Sequence, residues 1–428
     1  VAAGRLDRFG FVDPTNGGSS QSGTLGVYYR KPFASGDTFK MDGFVSRSLL
    51  DLYSNFTFYL EDPEHGDAFQ QHDSRYQQGF NTQYLRLNSV FGARGLLALG
   101  TNFHHNQIHV GLFPQIARNP TGVTTRGRAG VTNFAGYAQQ GLDLARSRVH
   151  VEAGVRWDGF RFRVDDEIFP EFSGAQRAAR WQPKAALAYT PSWRVPLRLH
   201  VNYGRGISSQ DARGVVQRPE SPRLAATDFF QFGTSHRWRR VSLVSDLFLI
   251  DRSNEQVYVP DDGSVEFFGP SRAYGYEAKT AVELTRRLML HAGWTQVMNA
   301  FFRGASPRRY VASAPHCVVN GALTLNGWRG FFASLRYRHI GNYRLDEEDA
   351  TVRAAGFDVV DLSVTRALTR RLDFSVAADN LTNKVYYETQ NSFVSRLRPD
   401  APAVARIHAT PGFPFGVTLG LTFHLRSK

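Results

Sequence analysis

Between Val149 and Asp158 the side chains alternate strictly: Val149, Val151, Ala153, Val155 and Trp157 fall on one face of an extended chain, His150, Glu152, Gly154, Arg156 and Asp158 on the other. A period of two marks a β-strand with one apolar and one wet face. The same alternation returns across residues 197–203, 333–338 and 372–379. No stretch approaches the ~18–20 consecutive apolar residues of a spanning helix. The class expected is therefore all-β. Alternation alone fits two settings equally well, a half-buried soluble sheet or a sheet between lipid and a wet lumen.

The connections choose between them. Tight turns are expected around residues 31–37, 92–95, 144–148, 190–196, 236–240, 284–288, 325–330 and 366–372. Long polar segments are expected around 12–22, 47–78, 101–133, 158–183, 204–228, 250–274, 296–315, 339–356 and 383–414. Long and short connections in strict alternation put every long loop at one end and every tight turn at the other. That is the layout of a transmembrane antiparallel up-and-down β-barrel, with turns in the periplasm and loops outside. A soluble sandwich has no reason to sort its loops so. About eighteen strands are expected, in a single barrel domain over residues 1–428. In lipid the backbone finds no water to pair with, so such a sheet must close on itself.

Composition agrees. A mean hydropathy of −0.34 with 42% hydrophobic residues suits strands that average their two faces, and 33 Phe and 17 Tyr suit the aromatic girdles of a barrel. Cys317 stands alone, which excludes an internal disulfide framework and paired-cysteine zinc sites. The formal charge of +13 raises nucleic acid as a partner, but the basic residues are small clusters at short turns: Arg239 and Arg240, Arg286 and Arg287, Arg370 and Arg371. Anionic outer-membrane lipid and lipopolysaccharide explain them better, with attraction of an anionic ligand second; nucleic acid is not expected. Val1 opens no charged-then-apolar leader, so any export signal is expected outside this sequence.

Near the C-terminus stands Asp361-Leu-Ser-Val-Thr, then Leu372-Asp-Phe-Ser-Val-Ala-Ala-Asp-Asn-Leu-Thr-Asn-Lys-Val-Tyr-Tyr387. Within it Asn380, Leu381, Asn383 and Tyr386 resemble the penultimate-strand motif of TonB-dependent outer-membrane receptors. Weaker echoes are Tyr137-Ala-Gln139 before Ala153-Gly-Val-Arg-Trp157, Trp181-Gln-Pro-Lys-Ala-Ala-Leu-Ala-Tyr189, Asn202-Tyr-Gly-Arg-Gly-Ile207 and Gly275-Tyr-Glu277. The segment from Val417 to Leu425 resembles the terminal strand read by the barrel-assembly machinery. The resemblance implies a bacterial outer-membrane location and a receptor barrel for energy-coupled uptake of a scarce nutrient, such as a ferric siderophore or cobalamin. It also implies a TonB system acting through a globular plug. None of the plug's glycine-rich motifs precedes the first strand here. The reading is therefore of a chain truncated at its N-terminus, short of the plug and of about four strands of the ~22 that plugged transporters carry. Residues 4–10 read as a strand already under way.

No nucleophile elbow, His-Glu-x-x-His pair or phosphate-cradling loop appears, so no enzyme, catalytic residue, cofactor or resident metal is expected. His104, His105 and His109 are read as the start of an outer loop. They could touch one ion or ligand, or simply bond to water in a polar loop. Arg156, Arg198, Arg336 and Arg338 are placed in the lumen with Glu152, Asp373 and Asp379, where they could meet an anionic small-molecule ligand, a plug, or one another. The Asn380–Tyr386 motif reads as structural, satisfying backbone groups where a strand enters the last long loop. A plugless diffusion porin and a surface-binding adhesin barrel are the alternatives.

Overall fold

The computed structural model describes residues 7–192, 194, 196–258 and 265–425. Seventeen long strands follow one another in a single antiparallel sheet, each paired to its neighbours in sequence. They are β1 (Gly17–Pro32), β2 (Thr38–Ser54), β3 (Phe69–Val90), β4 (Ala93–Ile116), β5 (Thr125–Leu144), β6 (Val149–Asp166), β7 (Gly174–Tyr189), β8 (Leu197–Ser209) and β9 (Leu224–Trp238). The series continues with β10 (Val241–Arg252), β11 (Ser271–Glu283), β12 (Leu288–Phe302), β13 (Cys317–Trp328), β14 (Phe331–Ile340), β15 (Phe357–Ala367), β16 (Leu372–Asp379) and β17 (Gly416–Phe423). With the two-residue Asn119–Pro120, the sheet has the eighteen members expected.

All eight tight turns fall where the sequence puts them, down to the two-residue links Arg239–Arg240 and Arg329–Gly330. The long connections are shorter than expected. Residues 101–116 and 125–133, for example, belong to β4 and β5 rather than to a loop. The cause is strand length. β3 and β4 run for 22 and 24 residues, whereas about 9–11 tilted residues cross a bilayer. Beyond the apolar band a strand meets water on both faces, loses its alternation and looks like loop. The opening differs too. Residues 7–16 form turns and a bend, and the first strand starts at Gly17, inside a span read as loop; residues 4–6 lie outside the described residues.

The pairing register assigns the faces. Trp157 lies opposite Trp181, and Val155 opposite Ala138 and Pro183. This face carries exposed apolar side chains along the sheet: Trp181 at 61%, Leu247 at 50%, Leu419 at 67%. Only lipid makes so much exposed apolar surface favourable. The other face is polar and carries Asn102, Asn133, Glu152, Arg156, Asp158 and Gln182. Val151 thus points to lipid and Glu152 to the lumen.

Three small apolar cores lie at the long-loop end. Phe162, Val164, Ala212, Val215 and Leu224 form the largest, beside the pairs of clusters around Tyr343 and around Val359. Helix α1 (Ala212–Gln217), capped by Asp211 accepting from the Arg213 N–H, folds the 210–223 loop inward onto the Phe162 core. Across the sheet the 55–68 loop joins the hairpin Tyr387–Ser395/Val404–Pro411. Tyr59 N–H donates to the Arg396 carbonyl at 3.0 Å, and Arg396 N–H donates to the Thr57 carbonyl at 3.0 Å. Among the described residues no ladder pairs β1 with β17.

Candidate functional site

The lumen face of β10–β16 forms a recess of about 800 Å³. Alternation sends Lys279, His291, Asn320, Arg336, Arg338, Asp361 and Asp379 into it. Arg338 Nε lies 3.5 Å from an Asp361 carboxylate oxygen, and its Nη1 lies 3.8 Å from Glu388. Arg336 stands directly opposite Asp361 in register yet forms no ion pair among the described residues. Lys279 Nζ is held by Glu277 at 2.6 Å, so the recess is a mixed-charge wall open to the lumen, in which Arg336 is the guanidinium left without an ion pair among the described residues.

A second recess, about 600 Å³, lies under the inward-folded 210–223 loop and is lined by His72, Asp73, Arg75, His104, Asp211 and Arg213. Arg75 grips Asp73 through two bonds of 2.7 Å. Arg213 holds Asp211 at 3.0 and 3.1 Å. Burial pushes the Asp211 carboxyl up, but the hydrogen bonds and charge of Arg213, helped by Arg75, outweigh it and hold Asp211 below its ordinary value.

The sequence candidates separate accordingly. Arg336 and Arg338 share the first recess. Arg156 faces the lumen but is fully engaged, through Nε to Asp158 at 2.6 Å, Nη2 to Asp158 at 2.9 Å, and Nη1 to Asn102. Arg198 is on the lumen face near the tight-turn end of β8, exposed, away from both recesses. The histidine reading needs correction. His104, His105 and His109 sit within β4, where pleating sends His104 to the lumen and His105 and His109 to the opposite face. His104 lines the second recess, whereas His105 Nδ1 meets Thr132 Oγ1 at 2.8 Å. Among the described residues no three His, Cys, Asp or Glu side chains could hold a metal ion. Lys279 and His291 were missed, although Gly275, Glu277 and Lys279 alternate legibly. The Asp211–Arg213 cap was missed because its signal is a six-residue helix inside a loop.

The Asn380 motif does gather its residues. Asn380, 1% exposed at φ +50°, donates through Nδ2 to the carbonyls of Lys384 and Phe413, both at 2.9 Å, and accepts from the Lys384 N–H at 2.8 Å. Its own N–H reaches Asp361 at 2.9 Å. Leu381 N–H bonds to the Val360 carbonyl, and Asn383 accepts from the Phe415 N–H at 3.1 Å. Tyr386 packs on Phe357, ring centroids 4.6 Å apart, beneath Gly412, where an added Cβ would lie 2.2 Å from the tyrosine ring. The motif is a structural clasp joining the end of β16 to the start of β17.

The family model described as TonB dependent receptor-like, beta-barrel matches residues 2–381. The chain is 24% identical over 370 residues to the catecholate siderophore receptor Fiu of Escherichia coli K12, an alignment spanning 76% of this chain and 46% of that protein. It thus spans about half the length of the curated relatives it matches. Among solved structures, the ferric-catecholate import receptor Fiu from E. coli K12 in its closed form superposes with a TM-score of 0.75 at 17% identity, over 99% of this chain and 67% of that one. The copper transporter OprC gives 0.73 at 14% identity, over 97% and 67%. The unliganded ferric citrate transporter FecA gives 0.71 at 14%, over 94% and 61%.

Proposed function

Because the chain belongs to the TonB-dependent receptor-like β-barrel family, we propose that it is the barrel wall of an outer-membrane receptor for TonB-dependent, energy-coupled uptake of a ferric siderophore, the catecholate class first. The observation that carries the reading is the lumen recess: Arg336, Arg338, Lys279 and His291 converge on it with Asp361 and Asp379. Ferric catecholates are polyanions with flat, electron-rich edges, and guanidinium groups pair and stack with such ligands more readily than ammonium groups do. The relatives named for catecholate siderophores narrow the ligand class.

The open edges of β1 and β17 belong to the same reading. Among the described residues no ladder joins these two strands, and lipid offers their edge N–H and C=O groups no partner; on this reading other strands pair with both edges, and a plug inside the cylinder supplies the contact to TonB.

Uptake of radioactive iron as a catecholate complex tests the proposal. The gene encoding this chain is expressed in a strain lacking its own catecholate receptors, with and without functional TonB. Accumulation that needs both the gene and TonB is the expected result. Accumulation that persists without TonB would instead establish a passive pore, and none in either strain would reject the ligand class.

A further inference from the structure

The charge of +13 is not spread evenly over ion pairs. At the long-loop end several arginines are matched: Arg126 and Arg128 hold Glu167 at 3.0 and 3.2 Å, and Arg205 and Arg272 hold Asp228 and Asp251 at 2.9 and 2.7 Å. At the tight-turn end they are not. The four consecutive turns 238–241, 283–288, 328–331 and 366–372 carry eight arginines against one carboxylate, Glu283. None of the eight forms an ion pair among the described residues, and all are exposed.

These turns make one continuous rim. Glu283 N–H bonds to the Arg240 carbonyl at 2.8 Å, Asn326 N–H to Arg287 at 2.8 Å, and Ala367 N–H to Gly330 at 3.1 Å. The rim also has a membrane side. Trp238 lies on the lipid-facing surface, 57% exposed, with the Arg239 guanidinium 5.5 Å above its ring. Trp328 is 48% exposed under Arg329 at 5.6 Å. Phe331 pairs with Trp328 in register and carries Arg366 at 4.8 Å. Tryptophan settles at headgroup depth, and a cation held over its ring sits where lipid phosphates lie.

We propose that the tight-turn rim of β9–β16 is a binding belt for anionic phospholipid headgroups, with Arg239, Arg329 and Arg366 as the phosphate-facing groups. A soluble periplasmic protein could meet the turn tips, but it would leave the outward Trp238, Trp328 and Phe331 without a role. Lipopolysaccharide phosphates belong to the leaflet beside the long loops, and the tight turns face the periplasm. The belt therefore takes inner-leaflet phospholipid.

Native mass spectrometry of the full chain in mild detergent, titrated with phosphatidylglycerol or phosphatidylcholine, tests this. R239Q/R240Q/R329Q/R366Q is compared with wild type and with R126Q/R128Q from the long-loop end. The rim variant should retain phosphatidylglycerol about tenfold less, since each basic group near an anionic headgroup contributes measurably; R126Q/R128Q should match wild type, and phosphatidylcholine should not change. Three results would overturn the belt: equal phosphatidylglycerol retention by rim variant and wild type, displacement of the lipid by millimolar inorganic phosphate, or loss of a bound periplasmic protein with lipid retention unchanged. Heat-modifiable gel mobility checks folding of each variant. Should the quadruple variant fail to fold, R366Q, on a regular strand, is read against the same lipids, with reduced phosphatidylglycerol retention expected and unchanged retention decisive against the belt.

Discussion

Asn380→Ala isolates what the clasp at the end of β16 contributes. The side chain is sealed from solvent and makes three hydrogen bonds, two donated to the Lys384 and Phe413 carbonyls and one accepted from the Lys384 N–H. Alanine leaves those partners without a replacement, at about 1 kcal/mol apiece. The backbone at φ +50° adds up to about 1 kcal/mol, because asparagine, whose short polar side chain bonds to nearby backbone, tolerates the left-handed region better than alanine, although both carry a Cβ. The sum is about 3–4 kcal/mol. Asn380→Gly separates the terms: it loses the same bonds but tolerates the backbone, so it should recover about 1 kcal/mol relative to alanine. The assay is urea unfolding in detergent micelles, followed by tryptophan fluorescence and by loss of the heat-modifiable compact band. An alanine variant within about 0.5 kcal/mol of wild type, a difference below one net hydrogen bond, would refute the clasp. A glycine variant no more stable than alanine would refute the backbone part alone.

Three further outcomes are expected. Val151→Arg puts a charge on the lipid face at a cost of about 2–4 kcal/mol, whereas Glu152→Arg points into the lumen; assembly yield in membranes should fall for the first only, and the reverse order would mean the register is off by one. Gly412→Ala drives a Cβ to 2.2 Å from the ring of Tyr386, which is 4% exposed and cannot swing aside; overpacking of this kind costs about 1–3 kcal/mol, read in the same urea assay, and a neutral result would show that the ring has room to move. His408 stacks on Phe393 at 3.9 Å in the last long loop, and burial, with Arg406 adding repulsion, holds its pKa below the usual 6.5. The unfolded loop therefore binds the proton more readily, so the loop's stability is full above pH 6.5 and falls as the pH drops from there towards the lowered folded value; hydrogen exchange of residues 387–411 should speed up over that range in wild type and respond less in His408→Phe.

The sequence alone determined the all-β class, the tight turns and the two faces of each strand, because these follow from local rules. A period of two fixes which side chains share a face, as in Val149–Trp157, and a two-residue link such as Arg239–Arg240 leaves no room for anything but a hairpin. The Asn380 motif was legible as well, since its residues lie within seven positions of one another. Tertiary structure alone decided the rest. His104, His105 and His109 look like neighbours in a loop, but pleating within β4 sends them to opposite surfaces, and the polar character that disguised the strand comes from its length beyond the bilayer. Lys279, His291, Arg336 and Asp361, spread over more than eighty residues, become one recess only because five successive strands are brought side by side by hydrogen bonds in fixed register. Which arginines are free and which are paired is likewise a property of neighbouring strands: Arg205 finds Asp228 across a ladder, and Arg239, at a turn, has no strand beyond it from which a carboxylate could come.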